Sequence, residues 1–145
     1  TDTDKALSKL QAFINTYPDS EYFDEANKMA RELTTKKERK QFEIAKQFDK
    51  LGEFDYPVLI SAITALENFI AENPGSIYRE DAFYYKLKSS TNLALNSTLS
   101  KKQERLENAV AAYNALKKSF PDTKYAKKAD DLYAKVMREM QDFSK

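Results

Sequence analysis

One short cassette is written three times in this chain, and few folds can carry it. The first copy runs Ala6, Leu7, Leu10, Phe13, Ile14, then Tyr17-Pro18-Asp19-Ser20-Glu21-Tyr22 and Ala26. The second runs Ala62, Ile63, Leu66, Phe69, Ile70, then Asn73-Pro74-Gly75-Ser76-Ile77-Tyr78 and Ala82. The third runs Ala109, Val110, Tyr113, Leu116, then Phe120-Pro121-Asp122-Thr123-Lys124-Tyr125 and Ala129. Counted from each proline, a small residue stands twelve positions before, a tyrosine four after and an alanine eight after. Apolar residues at three- and four-residue steps line one face of a helix. A proline ends such a helix by driving the residue before it into extended conformation. The register therefore reads as helix, proline corner, helix. A unit of this size cannot bury its own apolar face, so copies stack. The cassette predicts an all-α, right-handed solenoid of antiparallel helix hairpins, tetratricopeptide-like, with about six helices. One domain spans residues 1–145, with corners at Pro18, Pro74 and Pro121. Such an array is a scaffold that works by holding partners.

Composition narrows the function further. A chain of 145 residues buries about 70% of its unfolded surface, enough for one core. No run of about 18 apolar residues is present to span a bilayer. Lysine plus arginine number 24 against 23 acidic residues, a net charge of +1, which gives no global attraction to nucleic acid. The chain lacks cysteine and histidine, which removes thiolate nucleophiles, the usual neutral-pH base and the commonest metal ligands. It holds no Gly-rich phosphate loop and no calcium-loop pattern. These residues predict no enzyme, no cofactor and no metal.

The helices are expected over 3–17, 20–52, 57–72, 77–95, Ser100 to about Ser119, and Thr123 to about Phe143. The second is the long one: no Pro or Gly interrupts Glu21 to Leu51. Its far half is expected to pack on the next hairpin. Either it is one helix, bent near Thr34-Thr35, or two helices broken at that β-branched pair. Ser20, Ser76, Ser100 and Thr123 are expected as N-caps, Gly52 as a C′ residue and Pro57 as the first residue of its helix. Tyr22, Tyr78 and Tyr125 are expected to plug the gaps between hairpins. Ala6, Ala26, Ala62, Ala82, Ala109 and Ala129 are expected to let helices approach closely. The first helix carries an apolar stripe with no partner before it, so the chain is expected to be a piece of a longer array or to be covered by another chain.

The corners resemble those of the BamD/YfiO family of outer-membrane assembly lipoproteins, C-terminal portion. Two more stretches carry the likeness. One is the long segment from Ser20 that ends Ile44-Ala45-Lys46-Gln47-Phe48-Asp49-Lys50-Leu51-Gly52-Glu53-Phe54; the other is the helix end Phe69-Ile70-Ala71-Glu72-Asn73-Pro74. The resemblance implies a non-catalytic scaffold of β-barrel protein assembly on the periplasmic face of the outer membrane. It implies docking to the barrel-forming core subunit, and membrane contact only through an N-terminal lipid anchor outside this sequence. Two departures stand against it: the second corner has no acidic residue after its proline, and the spacings between prolines differ. A periplasmic coordinator of peptidoglycan processes or a glycan-capturing helical-repeat lipoprotein is the alternative.

Two groups of residues are candidates for partner contact. Tyr56, at a helix corner, is expected to be exposed, with Phe54 stapling the helices beside it; exposed aromatics are enriched at interfaces. Lys117, Lys118, Lys124, Lys127 and Lys128 gather at the last corner. They form either a solvated rim or a docking patch for an acidic partner surface or for lipid headgroups. Lys36, Lys37, Arg39 and Lys40, interleaved with Glu38 and Glu43, read as a solvated band. The first-of-pair helices, over 20–52, 77–95 and 122–143, are expected to form the concave partner-facing surface.

Overall fold

The computed structural model describes residues 1–52 and 55–144. Among them the helices are α1 (Asp2–Thr16), α2 (Phe23–Leu51), α3 (Tyr56–Glu72), α4 (Arg79–Leu95), α5 (Leu99–Ser119) and α6 (Ala126–Ser144). The fold is all-α and tetratricopeptide-like. It divides into two compact units, Thr1–Gln41 and Phe42–Lys145, with the boundary inside α2.

All three proline corners close with one hydrogen-bond pattern. The residue before each proline sits near φ −130°, as proline demands of its neighbour, and donates its N–H to the carbonyl four residues back. Those bonds are Tyr17 to Phe13 (2.9 Å), Asn73 to Phe69 (3.0 Å) and Phe120 to Leu116 (2.8 Å). The hydroxyl residue then accepts from the N–H two residues on: Ser20 from Tyr22, Ser76 from Tyr78 and Thr123 from Tyr125. Its carbonyl accepts from the residue after that, and regular helix begins there, at Phe23, Arg79 and Ala126. The expected N-caps thus act three residues ahead of their helices, because the short hydroxyl bonds its own turn. In the fifth helix Thr98, not Ser100, is the N-cap, and Tyr56 rather than Pro57 opens α3 behind the N-cap Asp55.

The second helix is one uninterrupted run of 29 residues. The β-branched pair does not break it, since Thr34 returns its hydroxyl to the Ala30 carbonyl (2.8 Å) and so leaves no orphan. Gly52 is not a left-handed C′ residue, for no residue of positive φ occurs among the described residues. It is there for closeness: a Cβ on Gly52 would stand 2.8 Å from the Leu59 backbone nitrogen. Gly75 faces open space.

The 1–41 unit is lightly built. Helix α1 has no buried residue, and its apolar face of Leu7, Leu10, Phe13 and Ile14 is only half-covered. Ala26 is buried there, but Ala6 is exposed and mediates no close approach. Asp4 accepts from the Thr1 hydroxyl and pairs with Lys37 Nζ at 2.9 Å, tying α1 to α2. The hydrogen bond from Lys37, then that from Thr1, holds the Asp4 carboxyl down at about 2.

The 42–145 unit holds the continuous core. Helix α4 is its hub and packs against α3, α5 and α6. Nine of its residues are buried, including Ser89, Ser90 and Thr91, small enough for neighbours on several sides. Phe83, Tyr84 and Leu87 meet Ala112 and Leu116 of α5 and Ala129 of α6. Ala94 packs with Leu106, Ala109 and Val136 at the other end. The far half of α2 joins through Phe42 and Ala45, which pack on Leu66, Phe69 and Ala82 as expected of the long helix. Truncating such leucines to alanine costs about 2–5 kcal/mol each.

Candidate partner-binding surface

Sequence-distant carboxylates assemble the third corner. Glu80 and Asp81 stand in the first turn of α4, where the positive helix end favours them. One Glu80 oxygen accepts from the Thr123 hydroxyl (2.7 Å) and from the Lys124 N–H (2.9 Å). Asp81 accepts from the Tyr125 hydroxyl and pairs with Lys124 Nζ at 3.0 Å. Tyr125 lies flat on Tyr84, ring centroids 4.1 Å apart. Burial, then the Asp81 hydrogen bond, raises the Tyr125 phenol well above its ordinary range. The same carboxylate raises the Lys124 ammonium.

This arrangement sorts the five corner lysines. Lys124 is committed to Asp81, and Lys117 stands 4.0 Å from Asp130, which also accepts from the Tyr113 hydroxyl at 2.6 Å. Lys118, Lys127 and Lys128 are exposed and, among the described residues, stand in no ion pair. The repeat register makes Lys127 and Lys128 informative. The equivalent pair, after the corner tyrosine and one further residue, is Asp24-Glu25 in α2 and Glu80-Asp81 in α4. In α6 the first turn has no acidic residue and holds two lysines instead. Two cations at a positive helix end forgo about 0.3–1 kcal/mol each. The signal was in the sequence, visible only once the three corners are aligned.

The remaining expected contacts are mixed. Tyr56 is exposed, 40% of its surface accessible, but not free, since its hydroxyl donates to the Asn96 carbonyl at the end of α4. Phe54 lies outside the described residues. Tyr78 is half-buried and stacks on Phe42 with centroids 5.5 Å apart. Tyr22, expected in the same role, is 58% exposed. Tyr78 and Tyr125 each stack on a ring of an upstream helix, whereas among the described residues no ring packs on Tyr22.

Two features were not legible beforehand. Asp49 is buried, accepting from Ser89 Oγ at 2.5 Å and pairing with Lys88 Nζ at 3.3 Å, so it locks the end of α2 to α4. Burial works to lower the Lys88 ammonium, but the Asp49 charge and hydrogen bond outweigh it and the group is raised. Lys46 and Lys88 both lie over the Tyr85 ring, 5.4 and 5.7 Å from its centroid. Separately, an open groove of about 610 Å³ runs between α3 and α5 with α4 as its floor. It lies between two second-of-pair helices, not on the first-of-pair face the sequence pointed to.

A family model described as YfiO, outer membrane lipoprotein, matches residues 55–142, and a tetratricopeptide-repeat model matches residues 1–20. No curated protein matches the chain.

Proposed function

Because this chain belongs to the YfiO family of outer membrane lipoproteins, we propose that it is a non-catalytic scaffold of outer-membrane β-barrel protein assembly. The tetratricopeptide-repeat match supports a role in protein interaction. In this reading it works on the periplasmic face and docks an acidic surface of the barrel-forming core subunit. The observation that carries the docking reading is the lysine pair at the start of α6. Lys127 and Lys128, with Lys118 nearby in the chain, are cations kept where helix electrostatics disfavour them. Such a patch gives orientation and on-rate, and it weakens as salt rises.

Charge reversal separates function from folding here. Lys127→Glu with Lys128→Glu restores acids to the first turn of α6, so the melting temperature should hold or rise slightly. Capture of the barrel-forming subunit from envelope membranes should drop at least tenfold. Unchanged capture removes the patch from the account. Recovery of peptidoglycan enzymes in place of the barrel subunit replaces the assembly role with the coordinator role.

A further inference from the structure

We propose that one edge of α2, over Ile44, Phe48 and Leu51, is a docking seam for a helix of a protein partner with acidic flanks. The three side chains are 43%, 37% and 64% exposed. They follow one another at four- and three-residue steps, so they form one line on a helix that runs without a break. The far side of that helix is fixed. Phe42 and Ala45 are buried in the core, and the buried Asp49 holds Ser89 and Lys88 of α4. The line is thus a preformed apolar ridge, which keeps the cost of ordering low when a partner arrives.

The register of the same helix selects a helical occupant. Ile44, Phe48 and Leu51 stand 18 residues after Ala26, Ala30 and Leu33, and 18 residues make about five whole turns. The earlier stretch of this register is covered: Ala26 is buried, and Ala30 and Leu33 are half-buried. Within the 1–41 unit the neighbouring element is a helix, α1, whose Asp4 pairs with Lys37 one turn beyond Leu33. The later stretch repeats those steps with larger knobs and leaves them open. Its narrowness favours a helix over a lipid surface. The three residues span about 60° around the axis, the width of a coiled-coil seam rather than of the stripe of roughly 100° that buries a whole helix face. Charge sets the flanks. The exposed edge beside the line carries Lys40, Glu43, Gln47 and Lys50. Neither Lys40 nor Lys50 stands in an ion pair among the described residues, while Lys37 already has its aspartate. A helix with glutamates along this edge meets two open cations against the single acid Glu43, the pairing by which flanking charges choose a neighbour.

The test is fluorescence anisotropy on the whole chain with a fluorescein-labelled peptide of three heptads, leucine at both seam positions and glutamate beside them. Saturable binding is expected. Leu51→Glu, at the most exposed of the three positions, should weaken it about tenfold or more with the melting temperature unchanged. Phe48→Glu should do the same, which keeps the result readable if either variant folds poorly. Lys40→Glu should weaken the glutamate peptide and improve binding of its lysine counterpart. A version with proline in each heptad, which cannot form a helix, should not bind. Ile77→Glu removes an apolar side chain that is 72% exposed but lies at a corner, and it should bind as wild type does. No saturation, equal binding by wild type and the folded seam variants, binding of the proline version, or an equal loss at Ile77 overturns the proposal. So does seam-dependent cosedimentation with phosphatidylglycerol vesicles, which assigns the ridge to a membrane. A wild-type dimer that Leu51→Glu dissociates overturns it too, and assigns the ridge to a second copy. The Lys127→Glu, Lys128→Glu protein should still bind the peptide, so this seam and the corner patch fail independently.

Discussion

The first corner, in the 1–41 unit, and the third, in the 42–145 unit, fold through the same hydrogen bonds yet meet different surroundings. At Tyr22 the ring is 58% exposed; at Tyr125 it lies stacked on Tyr84 with its hydroxyl on Asp81. The corner is therefore a local device, written by a proline and a hydroxyl residue two positions later. Docking is a second, long-range layer that needs an aromatic ring on an upstream helix, to which the third corner adds acidic acceptors. The second corner shows that the layer varies: Tyr78 docks on Phe42 of α2, not on the residue equivalent to Tyr84, which is Lys28. Phe42 lies about four turns further along that helix.

Removing the docking ring should hurt most. Phe42→Ala empties a site that is 4% exposed and loses contacts with Phe69, Tyr78 and Tyr85, so about 3–5 kcal/mol should vanish in urea unfolding. Tyr125→Phe keeps the stack and drops one bond to a carboxylate. It should cost about 1.5–3 kcal/mol, less than the ring itself.

The two glycines give opposite signs. Gly52→Ala forces a methyl against the Leu59 backbone and should cost about 1–3 kcal/mol. Gly75→Ala meets nothing and should stabilise by about 0.4–1 kcal/mol by narrowing the unfolded ensemble. A loss at Gly75 would mean the second corner is more tightly packed than the other two.

Titration should give the smallest effects, again with opposite signs. Asp4 is held at about 2 in the folded chain against an ordinary 3.8, so its contribution is present above pH 4 and fades as pH falls toward 2. Tyr113 is pushed up to about 12 by its hydrogen bond to Asp130, then by burial. Its contribution is full below pH 10 and fades as pH climbs toward 12. Asp4→Asn should erase the acid response of α1 amide shifts in NMR spectra, and Tyr113→Phe the alkaline response of α5 and α6.

Much of this is legible in the sequence. Proline spacing located all three corners, and period-3.6 apolar stripes gave the helices, since both signals are local. After the three corners the helix starts slipped by two or three residues because a serine or threonine hydroxyl serves a turn as readily as a helix end. Tyr22 was misplaced because burial depends on an upstream ring, which the corner motif does not encode. Lys124 looked like a free cation because its acceptor, Asp81, lies in another hairpin. Asp49 and Ser90 carried no signal, being ordinary polar residues whose burial comes from helix packing. The lysine pair of α6 was read only as part of the group of five corner lysines; its contrast with Asp24-Glu25 and Glu80-Asp81 lies in the same alignment of the corners, two positions past each tyrosine.

The most direct measurement is a tyrosine scan by equilibrium unfolding. Tyr78→Ala and Tyr125→Ala should each cost about 2 kcal/mol or more, and Tyr22→Ala less than about 0.5 kcal/mol. Equal losses at all three positions would contradict the separation of corner from docking.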